Sequence, residues 1–256
     1  MSTLLAMEAA QTHEEIGAEA RRVVAAATDR GEVLRIAGGV AYQLRVAGRV
    51  ALPRAPLGDI DLIAPAKRNR RVAALLTEIG YTPEKEFNAR HGDRRLIFWD
   101  LARERKLEVF VGTFVMCHEL PIAERLEVEP ETVPLAELLL TKLQIVELNE
   151  KDLADMHSLI ITHDVGVTDD GQINATRIAS LCGADWGLHH TVTRTLTRLG
   201  DDTPSYTLSS EQRQLVNERT AKLQLAIDEH PKSMAWRMRA RVGERVRWYV
   251  EPDEIG

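Results

Sequence analysis

The sequence predicts an α/β (α+β) chain, with a small mixed sheet flanked by helices and a mainly helical C-terminal region after it. Three observations carry that expectation. Before Pro121, short apolar runs of strand character alternate with helix-spaced segments. After Pro121 the pattern is mostly helical, interrupted at 166–171 and 201–205. The 256 residues, 44% of them hydrophobic, suffice for one large domain or two modest ones.

Each element follows from local spacing. Residues 13–28 predict a helix, with Ile16, Ala20, Val23 and Val24 on one stripe. A strand at 33–37, a Gly38-Gly39 turn and a helix at 40–47 come next. Pro53, Pro56 and Gly58 mark 49–58 as a loop that leads into a strand at 59–64. A helix at 67–79 is closed by Gly80. Strands at 96–99 and 107–110 are joined by a charged turn. A boundary near 121–134 divides the chain into an α/β part, 1–130, and a helical part, 131–256. No internal repeat and no low-complexity segment is present.

Composition excludes several classes. No apolar run approaches the roughly 18–20 residues that span a bilayer, so no membrane partner is expected. The first twelve residues lack a basic start and reach Glu8 too early for a secretory signal. Two cysteines, Cys117 and Cys182, suit a reducing, cytoplasmic setting. A net charge of −6 argues against a generic nucleic-acid binder.

Gly38-Gly39 followed by Asp59-Ile60-Asp61 is the most informative pattern. On a strand, Asp59 and Asp61 project to one face and Ile60 and Leu62 to the other. Two adjacent carboxylates repel unless a cation sits between them. Mg²⁺, or Mn²⁺ in its place, binds through one or two carboxylates together with phosphate oxygens and water. Gly38 and Gly39 let the main chain approach a ligand closely, and a helix starting at Val40 would point free N–H groups at phosphates.

Three further positions join this reading. Glu108, in an apolar strand, is a third carboxylate that could complete the metal site and act as base; the alternative is a strand residue paired with Lys106 or a nearby arginine. Lys142 falls inside the apolar stripe of Leu135, Leu138, Leu139, Leu143 and Val146, so it snorkels, pairs with a buried acid, or faces a cleft and a phosphate. Asp152 and Asp155, three apart on a helix, either orient Lys142, hold a base or ribose, or form a solvated acidic edge, with Asp152 also a candidate N-cap.

Ala37-Gly38-Gly39-Val40-Ala41, Gly58-Asp59-Ile60-Asp61-Leu62, and Leu139-Leu140-Thr141-Lys142-Leu143 with Lys151-Asp152-Leu153-Ala154-Asp155 resemble the DNA-polymerase-β-type nucleotidyltransferase superfamily. Within it, the chain is most similar to abortive-infection and toxin–antitoxin nucleotidyltransferases, over roughly 30–160. The resemblance implies a nucleotidyltransferase fold and transfer from an NTP to an acceptor hydroxyl. RNA, notably a tRNA end, or a partner protein would be the acceptor, and a cognate antitoxin would accompany a toxin. It assigns Gly38 and Gly39 to the triphosphate, Asp59 and Asp61 to Mg²⁺, and Lys142 to the nucleotide. Two departures stand out: Glu108 occupies a position that is often Asp, and a proline-bearing loop separates Gly39 from Asp59. Aminoglycoside nucleotidyltransferases look similar over the same glycine and Asp-x-Asp region, which keeps a small-molecule acceptor open. A nucleotide-binding regulator without turnover is the third reading.

Between Lys232 and Tyr249, six basic residues accompany one acid, Glu244, with Trp236, Trp248 and Tyr249 interleaved. Arg237, Arg241 and Arg245 recur every four residues and predict one basic helical face suited to RNA, or a terminal helix whose tryptophans pack inward. Lys67 to Arg71 is a second basic cluster, read as a solvated helix start. Cys117-His118 and Cys182 with His189-His190 lack zinc spacing, and His157 and His163 are read as surface or satisfied helix residues. Asp185 reads as a helix N-cap.

Overall fold

The computed structural model describes residues 12–50, 52, 56–201 and 204–251. The first eleven residues, Pro53 of the expected loop, and residues 202–203 of the expected 201–205 interruption lie outside that set. The chain forms two compact units. One comprises Met1–Leu44, Pro56–Phe114 and Pro121–Pro134; the other comprises Arg45–Ala55, Val115–Leu120 and Leu135–Gly256.

The first unit is built on a five-stranded sheet. Its elements are α1 (Ile16–Asp29), β1 (Arg35–Ala37), α2 (Gly38–Val46), β2 (Asp59–Ala64), α3 (Asn69–Glu78), β3 (Thr82–Pro83), α4 (Lys85–His91), β4 (Arg95–Asp100) and β5 (Arg105–Val111). The last two residues of α2 fall with the second unit. Sheet order is β1-β2-β5-β4-β3. The β2–β5 pair is parallel and the others are antiparallel, so the sheet is mixed.

Side-chain alternation separates the two faces of this sheet. Ile36, Ile60, Leu62, Leu107, Val109, Leu96 and Phe98 share one face, and all are buried. Helices α1 and α3 contact the strands and each other, and Phe98 lines one surface cavity with Ala73 and Ala74 of α3. Each such aliphatic or aromatic side chain removed from water contributes about 1.5–3 kcal/mol. The opposite face carries Asp59, Asp61, Lys106, Glu108 and Arg95. The first face is thus apolar along this stretch, while the other mixes these charges with the buried Ile63, Ile97 and Phe110.

Local chemistry fixes the ends of these elements. Glu15 caps α1 by accepting from the Gly17 and Ala18 N–H groups, which holds its carboxyl below the usual range. Burial alone would raise the Glu19 carboxyl, but hydrogen bonds from Arg22, the His13 N–H and the Tyr81 hydroxyl bring it below the ordinary value. Strand β1 is shorter than expected, three residues long, because it pairs only with Asp61, Leu62 and Ile63. Beyond it the Ile36 N–H donates to Glu131 O and Ile36 O accepts from the Val133 N–H, both at 3.0 Å. At the other margin β3 has two residues, one of them Pro83, which has no N–H to offer.

The second unit is mainly helical: α5 (Leu135–Leu143), α6 (Glu150–Thr162), α7 (Ala175–Ala184), α8 (Trp186–Asp201), α9 (Ser210–Glu229) and α10 (Met234–Val242). A short parallel pair, β6 (Val165–Gly166) and β7 (Ile173–Asn174), connects α6 to α7. Helix α5 stops at Leu143, so Val146 of the expected stripe lies beyond it. Asp185 caps α8 by accepting from the Leu188 N–H at 2.7 Å. His157 is buried and bonded to the Tyr206 hydroxyl at 2.7 Å and Leu199 O at 3.0 Å. The expected basic face of the last helix is shorter than the sequence spacing implied. Gly243, at φ 59°, ends α10, and Arg245 sits in the following 3-10 turn, so only Arg237 and Arg241 share the helix.

Candidate functional site

The carboxylates of the first unit are ordered by strand register. Asp61 lies opposite Glu108 and Asp59 opposite Lys106 across the parallel β2–β5 ladder. Paired positions share a face, so these four side chains form a two-by-two patch of three acids and a lysine. Asp59 and Asp61 are half-buried, while Glu108 is 2% exposed. Glu108 is engaged by two cations: Arg95 Nε pairs with its Oε1, and Lys106 Nζ lies 3.3 Å from its Oε2. Asp59 forms no ion pair with any described residue. Among the described residues no three His, Cys, Asp or Glu side chains converge as a metal-binding group.

Gly38 and Gly39 form the first turn of α2, which begins two residues earlier than the sequence indicated. Their N–H groups therefore belong to the set that has no intrahelical acceptor. Gly38 has φ +53°, and a Cβ built there would stand 1.9 Å from Asp61 Oδ2. Ala37 pairs with Asp61 in the β1–β2 register. Only glycine leaves room for the Asp61 carboxylate at this position.

Lys142, Asp152 and Asp155 come together in the second unit. Every residue of α5 except Lys142 is buried, and Lys142 is partly so. Its Nζ donates to Asp152 Oδ1 at 2.6 Å and lies 3.7 Å from Asp155 Oδ2. Asp152 is also the N3 residue of a capping box: Asn149 is the N-cap, and Asp152 Oδ2 accepts from the Asn149 N–H at 3.3 Å. The cap is thus Asn149, with Asp152 its reciprocal partner.

The C-terminal aromatics are also engaged. Trp186 stacks on His190 and meets Trp248 edge-on, with Arg239 over the Trp186 ring at 4.8 Å. The Trp248 Nε1–H donates to Thr191 Oγ1 at 3.0 Å, and the Val250 N–H donates to Cys117 O. Burial lowers the pKa of His118, His163 and His189 from the ordinary histidine value. His163 is bonded to Arg45 O and Gly171 O. Burial raises the Cys117 thiol and pushes Cys182 up to about 12, so neither is a poised thiolate.

Sequence reasoning did not single out Arg95, which reaches Glu108 diagonally across β4–β5. It also passed over the Thr191-x-Thr193-Arg194-Thr195 run of α8, whose four-residue spacing was the available signal.

No family model and no curated protein matches this sequence. A solved structure that it is similar to is the solution structure of antibiotic-resistance factor ANT(2'')-Ia, at 14% identity, over 95% of this chain and 96% of that one, with a TM-score of 0.33. Similarity at that level carries no argument about fold or activity. No helix among the described residues is long and apolar enough to cross a membrane.

Proposed function

We propose that the chain is a metal-dependent nucleotidyltransferase that moves a nucleoside monophosphate from an NTP to an acceptor hydroxyl. The observation that carries this reading is the contact of Gly38 with Asp61 on the sheet face that also holds Asp59. Asp59 and Asp61 fit Mg²⁺ or Mn²⁺ as a half-buried carboxylate pair, which is the number such an ion takes from a protein when phosphates supply the rest. The ion would neutralise triphosphate oxygens there. The first-turn N–H groups of α2 would hold phosphate oxygens alongside.

In this reading the acceptor oxygen bonds to the α-phosphorus, the bond to the β-phosphate oxygen breaks, and pyrophosphate leaves. The hydroxyl proton passes to solvent or to a carboxylate. Glu108 remains the third acid of the face. Glu108 is held by Arg95 and Lys106, so in this reading its contribution is to fix charge beside Asp61. Lys142, oriented by Asp152 and Asp155, enters as a nucleotide contact on the strength of the sequence resemblance.

RNA is the proposed acceptor, with a toxin role and a cognate antitoxin as its biological setting. The test is label transfer from a mixture of the four NTPs, labelled at the α-phosphate, into total RNA with Mg²⁺. Label with the wild type and none with Asp61→Ala supports the reading; label with both variants overturns the metal-site assignment. No label with either removes RNA as acceptor. Glu108→Gln tests the third acid, with an expected loss of about tenfold in transfer and a lowered melting temperature, because it removes the charge that Arg95 and Lys106 pair with.

A further inference from the structure

The second unit contains a cleft of about 510 Å³. That size suits a small organic ligand. Ile145, Val146 and Trp248 form an apolar wall, and two neighbouring rows of α8 form the other side. One row is Thr191 and Thr195, the other Arg194 and Arg198, each pair one helical turn apart.

Thr195 is the unusual member. It is 4% exposed overall and lines the cleft, and its hydroxyl, engaged by no other described residue, keeps access to the cleft. Thr193 and Thr197 on the same helix donate back to His189 O and Thr193 O, and Thr191 accepts from Trp248. A hydroxyl that opens on the cleft can donate to or accept from a ligand there. Arg194 is exposed and forms no ion pair among the described residues, while Arg198 has a partner of its own. The chain carries a net charge of −6, so a two-arginine row beside an indole is a local reversal.

We infer that this cleft binds a nucleoside monophosphate unit, either free or as one residue of a single-stranded RNA. The base stacks against Trp248 and the Ile145–Val146 wall. The phosphate takes Arg194 and the Thr195 hydroxyl, and Arg198 lies within one turn for the next phosphate of a strand. The assignment is independent of transfer chemistry, since it uses no residue of the first unit.

Calorimetric titration of the full chain in EDTA, which removes metal-dependent nucleotide binding, tests it. The probes are AMP and a 5′-phosphorylated triribonucleotide. Saturable binding of AMP identifies a mononucleotide site, and binding of the triribonucleotide alone identifies an RNA contact. Arg194→Glu is expected to weaken binding at least tenfold and the isosteric Thr195→Val several-fold. Arg213→Glu, an equal charge change on exposed α9 surface, is expected to leave it unchanged. Melting temperatures of all three variants report folding. Absence of binding by both probes overturns the inference, as does equal weakening by Arg194→Glu and Arg213→Glu.

Discussion

Two acid pairs in this molecule rest on different backbones and reach different electrostatic ends. Asp152 and Asp155 are three apart on α6, 4% and 2% exposed, and share the Lys142 ammonium. Asp59 and Asp61 are two apart on β2 and half-buried, and the cations nearest in register turn to Glu108. The helical pair is compensated within the protein and adds a helix cap to the same residue. The strand pair is half-buried, and in the proposed reading a cation and a triphosphate reach it. Buried acids with their own cation hold structure, whereas the half-buried strand pair is where the proposed metal would bind.

The largest expected break of this contrast is Asp61→Ala. Label transfer should fall by about three orders of magnitude with the melting temperature nearly unchanged. Transfer at the wild-type rate would falsify the assignment of the strand pair. Lys142→Met probes the other side. It leaves two buried carboxylates without their cation and should destabilise the fold by about 3–5 kcal/mol, read by urea denaturation. Lys142→Met combined with Asp152→Asn should recover part of that loss; no recovery would mean the pair is not what the lysine supports.

A smaller effect is expected at the turn that meets the strand pair. Gly38→Ala forces a side chain into a left-handed backbone conformation and against Asp61. It should cost about 1–3 kcal/mol in stability and lower transfer more than Asp61-independent variants of equal stability do. The smallest is a pH effect confined to the second unit. His118, His163 and His189 titrate below the ordinary histidine value because burial disfavours their charged form. Their unfolded forms bind protons first as pH falls, so stability should be level above about pH 6.5 and decline below it. Thermal unfolding across pH 5–8 reads this. His163→Gln should flatten the decline, and an unchanged slope would exclude His163 as a source.

Much of this arrangement was legible in the sequence where one element decides it. Strand β2 was read to the residue, because Asp-Ile-Asp-Leu alternates cleanly and apolar residues follow. Lys142 inside an apolar stripe signalled a buried or cleft-facing ammonium, and spacing alone set Asp152 and Asp155 on one helix face. What escaped depends on register or on tertiary contact. The Arg95–Glu108 pair needs the alignment of β4 against β5, which no local pattern states. Gly243 ends the last helix in a left-handed turn, and four-residue arginine spacing gave it too little weight. The Thr–Arg rows of α8 alternate in sequence like a strand, and their helical pairing appears only once the helix is known.

The closed margins of the central sheet carry a consequence of their own. A sheet with an open edge recruits strands from other molecules, and self-association follows. Here Ile36 is bonded to Glu131 and Val133 beyond β1, and the opposite margin ends in a two-residue strand with Pro83. Neither side offers a run of free backbone donors and acceptors for a foreign strand to template on. A variant that loosened the 131–133 segment, for instance Val133→Pro, which removes the N–H that donates to Ile36 O, would open the β1 side to such pairing, and concentration-dependent light scattering would report it.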